Sequence, residues 1–161
     1  MSNQASALKS GSTGGAEGDA RIQIGKTLLR AWSVLSFVIF GTIFTGYAIG
    51  SPAFDYGGSL HWLVWDGLPG HVAMMLAGIY LVWAAYVWVA VRNPAAWGSF
   101  LNFTMVANIV HGLIMVPGAF EAPYHSKFFT DIPWVWILAA GIYLLRPAHA
   151  SWSWTGEFGG V

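Results

Sequence analysis

The chain has 161 residues, of which 56% are hydrophobic and only 9% charged; seven basic side chains balance seven acidic ones, and there is no cysteine. A soluble domain carries about 25% charged residues, so these proportions exclude an ordinary water-soluble globule, and the zero net charge gives no basis for nucleic acid as a partner. Disulfides, thiolate metal sites and cysteine nucleophiles are excluded outright.

Residues 1–25 are rich in Ser, Gly and Ala with scattered charges. Such a segment buries too little apolar surface to offset its ordering entropy, which predicts a disordered cytoplasmic tail. No apolar run follows Lys9 and no cleavage-site pattern closes the first hydrophobic stretch, so that stretch is expected to stay as an anchor rather than be removed. Four apolar stretches then follow, at about 28–49, 71–91, 97–117 and 131–145. A hydrocarbon core about 30 Å thick takes about 17–25 helical residues to cross. The first three stretches meet that length, and the fourth sits at its lower limit. The expected fold is all-α: an integral membrane four-helix bundle over residues 26–147, with a short tail at 148–161 on the inner interface.

Lys9, Arg21, Lys26 and Arg30 lie before or at the start of the first stretch, Arg92 lies in the second link, and Arg146 follows the fourth stretch. On the other side stands Lys127 alone. The positive-inside rule then puts both termini in the cytoplasm, which for a bacterial protein means a multi-pass protein of the inner membrane, N-in and C-in. Trp32, Trp88, Trp97, Trp152 and Trp154 are expected to form an inner aromatic girdle, with Tyr47, Trp62, Trp65, Tyr124, Trp134 and Trp136 as the outer one. The short link Arg92–Ala96 makes the second and third helices antiparallel neighbours. Trp62–Trp65 is expected to lie on the membrane surface or cap the bundle. Asp131 is expected to N-cap the fourth helix, with Pro133 in its first turn and Pro147 as its stop.

Candidate chemistry concentrates at one level. Thr104, Asn108 and His111 are spaced i, i+4 and i+7 and share a helix face. Counted from the cytoplasmic ends, Thr42, Gly78, His111 and Asp131 reach similar heights, so Thr42, Asn108, His111 and Asp131 are expected to meet in a polar layer in the outer third of the membrane. A His111–Asp131 contact there, direct or through one water, would either fix helix packing or bind a ligand, relay a proton or hold a metal. His61, His71, His111 and His125, with Asp66, Glu121 and Asp131, have the ligand types for zinc or copper, although no two of these histidines are spaced i, i+4. Gly46-x-x-x-Gly50 and Gly78 are candidate sites of close helix packing, and Gly78 is expected to face the third helix. Met74, Met75, Met105 and Met115 read as core filling; Tyr80, Trp83 and Tyr86 could touch a planar hydrophobic ligand such as a quinone, but lipid-facing aromatics are the commoner arrangement. Serine elbows, phosphate loops and paired catalytic carboxylates are absent.

Gly78-Ile79-Tyr80, Arg92-Asn93-Pro94, Phe103-Thr104, His111-Gly112 with Met115, and Asp131-Ile132-Pro133 resemble, in order and spacing, a family of small bacterial four-helix membrane proteins of unknown function. The resemblance covers about half the chain, from Met74 to Pro147. It implies a fold and no activity, and it singles out His111 and Asp131. The acidic residue that this family often carries just before Gly-Ile-Tyr is replaced here by Ala73 or Met74.

With no catalytic set, the leading expectation is a non-catalytic accessory or structural subunit of a larger bacterial membrane complex, such as an oxidoreductase, or a homo-oligomer in the bilayer. The alternative is a small lipophilic-ligand, quinone or proton-relay protein, or an enzyme, built on His111, Asp131 and Asn108. A small transporter ranks lower, because four spans without broken mid-membrane helices are poorly suited to alternating access. The sequence identifies no cofactor.

Overall fold

A computed structural model describes residues 3–146 apart from positions 66 and 123, with side chains from residue 17 onward. Asp66, Pro147 and the tail at 148–161, with its girdle candidates Trp152 and Trp154, lie outside the described residues. The described chain is all-helical: α1 (Asn3–Ala48), α2 (Gly70–Ala90), α3 (Gly98–Ala119) and α4 (Asp131–Leu144), joined by short 3₁₀ turns. Three helical segments, Glu17–Ala48, Gly70–Ala90 and Pro94–Ala119, are long and apolar enough to cross a membrane. The fourth helix has 14 residues, about 21 Å of rise, and is shorter than a span.

The segment expected as a tail falls within helix α1 from Asn3 onward. Helix α1 begins at Asn3, and from Arg21 it packs on the end of α4. Arg21 donates to the Tyr143 carbonyl at 3.2 Å and lies over the Tyr143 ring. Gly25 is buried against Gly141, where a Cβ would stand 3.0 Å from the Gly141 carbonyl oxygen. Two facing glycines let the two backbones approach.

Helix α1 ends in a Schellman motif. Gly50 takes φ +65°, Ser51 N–H donates to the Gly46 carbonyl at 2.8 Å, and Gly50 N–H donates to that of Tyr47. Gly50 is therefore a turn glycine, not a helix-packing one. Ser51 then caps the turn Pro52–Phe54, which folds Phe54 back so closely on Gly46 that a Cβ there would overlap the ring. Gly46 does serve close packing, but against a loop.

Helix α1 packs on α2 and α4, and α3 packs on α4; among the described residues α2 and α3 approach little through their backbones. Long side chains span that seam instead. Gly78 faces Phe44 of α1, at ordinary van der Waals distance for an added Cβ, and not α3. The predicted α2–α3 contact through Gly78 is replaced by Tyr80 and Trp83, because aromatic side chains set the helices apart. At the end bearing the chain termini, Leu29, Trp32, Val87, Leu101, Leu138 and Ile142 form the main core. At the loop end a smaller cluster gathers around Ile43, Phe54 and Ala77. Trp32 is no girdle residue: it is 2% exposed, stacks on Trp134 at 5.8 Å and donates its indole N–H to the Trp134 carbonyl at 3.0 Å. The outward faces carry apolar side chains such as Val38, Val82, Leu113 and Ile114, all exposed, as expected of surfaces that face lipid.

Candidate functional site

Of the four residues expected to form a polar level, His111 and Asp131 line a common cavity, whereas Thr42 and Asn108 are not in its lining. This cavity of about 260 Å³ opens inside the loop end of the bundle, with walls from all four helices. Ile39, Phe40 and Ile43 of α1 and Tyr80 of α2 form one side, and His111 and Met115 of α3 with Asp131, Trp134 and Val135 of α4 form the other. The roof is Trp62 and Leu63 from the first loop and Phe129 and Thr130 from the third. The 3₁₀ turn His61–Leu63 thus caps the bundle. The lining is mostly apolar with a few convergent polar groups, the usual make-up of a small-molecule pocket.

His111 and Asp131 line this cavity together, but their hydrogen bonds go elsewhere. His111 Nδ1 lies 2.8 Å from the Tyr80 hydroxyl. With that hydroxyl donating, the imidazole is the neutral Nε2–H tautomer, and its other nitrogen is a donor. The Tyr80 ring is held between Phe40, stacked at 4.4 Å and 9°, and Trp83 at 6.0 Å. Trp83 in turn donates its indole N–H to the Thr104 hydroxyl at 3.0 Å. Tyr80 and Trp83 are half-buried and bonded inward, so the lipid-facing assignment is corrected for both, whereas Tyr86 is exposed and packs on Trp97 and Phe100.

Asp131 turns to the loops. Its Oδ2 accepts the Trp65 indole N–H at 2.7 Å and pairs with Lys127 Nζ at 3.2 Å. Lys127 is 2% exposed; it also donates to the Trp62 carbonyl at 2.9 Å and sits over the Trp65 ring. Asp131 is accordingly not the N-cap: Thr130 holds that position, and the carboxylate from the first helical residue serves the loop contacts. By charge placement alone, Lys127 is only an exception to the basic bias of the opposite side. An i, i+4 spacing to Asp131 was the available signal for its role.

Of the remaining layer residues, Thr42 is exposed and returns its hydroxyl to the Val38 carbonyl at 2.7 Å, the back-bond open to any helical threonine facing lipid. It lies outside the cavity. Asn108 is buried, with its amide donating to the Thr104 carbonyl at 2.8 Å and its Oδ1 without a hydrogen-bond partner. The four candidate metal histidines are dispersed. His61 packs edge-on to Tyr56, His71 is exposed on the first turn of α2, His111 meets Tyr80, and His125 Nε2 contacts the Phe120 carbonyl. Among the described residues no three His, Asp or Glu side chains come together as a metal site. Of the methionines, Met105 is core, Met115 lines the cavity and Met75 is exposed.

No family model, curated protein or solved structure matches the chain. The functional reading therefore rests on the site's own geometry.

Proposed function

We propose that this protein is a multi-pass membrane protein that holds a small lipophilic molecule in the cavity between its four helices. Both termini face the cytoplasm, with the short α4 completing the fourth crossing where the bilayer thins around it, and the membrane is the bacterial inner membrane. The carrying observation is the cavity of about 260 Å³, mostly apolar in its walls, with the Tyr80–His111 pair and a charge-neutralised Asp131 in its lining. An apolar cavity of about 150 Å³ already admits benzene, so this volume suits a ring-sized head group rather than a whole lipid. Lys127 cancels the carboxylate charge, so a neutral ligand is favoured over a cationic one. The Tyr80–His111 pair offers a donor and an acceptor in a low-dielectric setting, where such bonds orient a carbonyl or hydroxyl group strongly.

The test is purification in lipid nanodiscs followed by mass spectrometry of the extracted small molecules. The expected result is a stoichiometric lipophilic compound with the wild-type chain, lost from Met115→Trp, which fills the cavity. Equal recovery from both, or none from either, overturns the proposal.

A second reading, a non-catalytic subunit of a larger membrane complex, is supported by a different observation. Tyr56, Trp62, Phe120 and Phe129 expose large aromatic surfaces on the loop end, beyond the spans, at 87, 50, 70 and 86%. Exposed aromatic patches of this kind mark protein contacts. Native mass measurement after mild solubilisation tests it: a heteromeric assembly supports the subunit reading, and a lone chain or homo-oligomer rejects it.

A further inference from the structure

We infer that the cavity is reached sideways from the bilayer, through the seam between α2 and α3, with His111 and Tyr80 as the door. The inference rests on the ligand-cavity reading and adds the route and the phase from which the occupant comes. Three observations carry it. His111 lines the inner cavity and also an apolar trough on the outer face of α3, formed by Phe103, Ala107, Val110 and Ile114. One side chain therefore borders both spaces. The α2–α3 seam is also the place where neighbouring helices approach little through their backbones, so it is closed by side chains that can rotate: Tyr80 on His111 and Trp83 on Thr104. The roof, by contrast, is fastened. Lys127 holds the Trp62 carbonyl and Asp131, and Asp131 holds Trp65, which stacks on Tyr124 at 4.9 Å.

The energetic contrast sets the route. Opening the roof exposes a buried ammonium and breaks several charge-assisted bonds at once. Opening the seam at His111 alone, with Trp83 still held on Thr104, breaks one neutral hydrogen bond and rotates one imidazole, on the microsecond-or-faster scale of side-chain motion. A neutral molecule already dissolved in the lipid then passes from trough to cavity without crossing water. The class of occupant is a lipid-soluble neutral compound with a hydrogen-bonding head, and not a water-borne solute.

The absence of cysteine makes the test clean. Met115→Cys places one thiol in the cavity wall. In nanodiscs its modification is followed by intact mass with two probes, the lipid-soluble benzyl methanethiosulfonate and the charged, water-borne trimethylammonium-ethyl analogue. The expected result is labelling by the benzyl probe and little by the charged one. Adding Val110→Trp, which loads the trough without entering the cavity, should slow benzyl labelling at least about tenfold, about 1.4 kcal/mol on the barrier. Lys127→Met, which unfastens the roof, is the contrasting variant, and it should change the benzyl rate less than the trough variant does. Ala107→Phe is the second trough variant should the first fail to fold. Fast charged-probe labelling, or a benzyl rate indifferent to the trough variant and raised by Lys127→Met, overturns the lateral route. Because the probes need no natural ligand, lateral labelling with nothing co-purified rejects the ligand reading and leaves the portal standing.

Discussion

Replacing Lys127 by Met isolates the contact that fastens both outer loops to α4. The ammonium is 2% exposed, and its partner Asp131 is 27% exposed. Methionine keeps most of the stem volume, so the cavity cost is small. What is lost is the donation to the Trp62 carbonyl and the pair with Asp131. A hydrogen bond to a charged group contributes about 1.5–3 kcal/mol. The carboxylate keeps contact with solvent, so the pair falls between an exposed one at about 0–1 kcal/mol and a fully buried one at about 3–5 kcal/mol on breakage. Relief of the buried ammonium's desolvation offsets part of this. The expected net loss is about 2 kcal/mol, about 30-fold in the unfolding equilibrium. Reversible unfolding in mixed micelles, read by far-ultraviolet dichroism and tryptophan fluorescence, measures it. A cycle with Asp131→Asn should give a coupling of about 1–2 kcal/mol, since the two side chains touch. A loss below about 0.5 kcal/mol, or strict additivity, would refute the buried-latch account, because it would mean that the Trp62 carbonyl and Asp131 lose nothing when Lys127 is removed.

His111→Ala and Asp131→Asn should add within about 0.5 kcal/mol, since the two residues share no hydrogen bond; coupling belongs instead to His111 with Tyr80→Phe, at about 1 kcal/mol in the same unfolding assay. Gly25→Val should separate α1 from α4 and cost about 1–3 kcal/mol, because a Cβ there already meets the Gly141 carbonyl oxygen at 3.0 Å. Gly78→Ala should be neutral or stabilising by up to about 1 kcal/mol, since the added methyl meets Phe44 only at ordinary contact distance and helix propensity improves; a measurable loss would show that the space beside Phe44 is closed. A cysteine at Ser59 should label from outside intact cells and one at Ala95 should not; the reverse pattern would invert the orientation.

The local elements were legible along the chain. Unbroken apolar runs, Pro94 and Pro133 are properties of neighbouring residues, and the helix limits at Ala48, Ala90 and Leu144 fall within a residue of those predicted. Height along a helix is also a count of residues, so His111 and Asp131 could be placed on one level before any packing was known, and the cavity does contain both. Rotation and pairing were not legible. In lipid every face of a helix is apolar, so hydrophobic periodicity no longer says which side turns inward. Thr42 could therefore face out, Trp32 and Tyr80 could face in, and Gly78 could meet α1 instead of α3. Partner choice at the site was decided still further from the local sequence. Asp131 is bound by Trp65, 66 residues away, and Lys127 by the carbonyl of Trp62, 65 residues away. Only the folding of the first loop over the bundle brings those groups together, and once a buried ammonium lies within 3.2 Å of the carboxylate, its charge outcompetes a neutral imidazole for that acceptor.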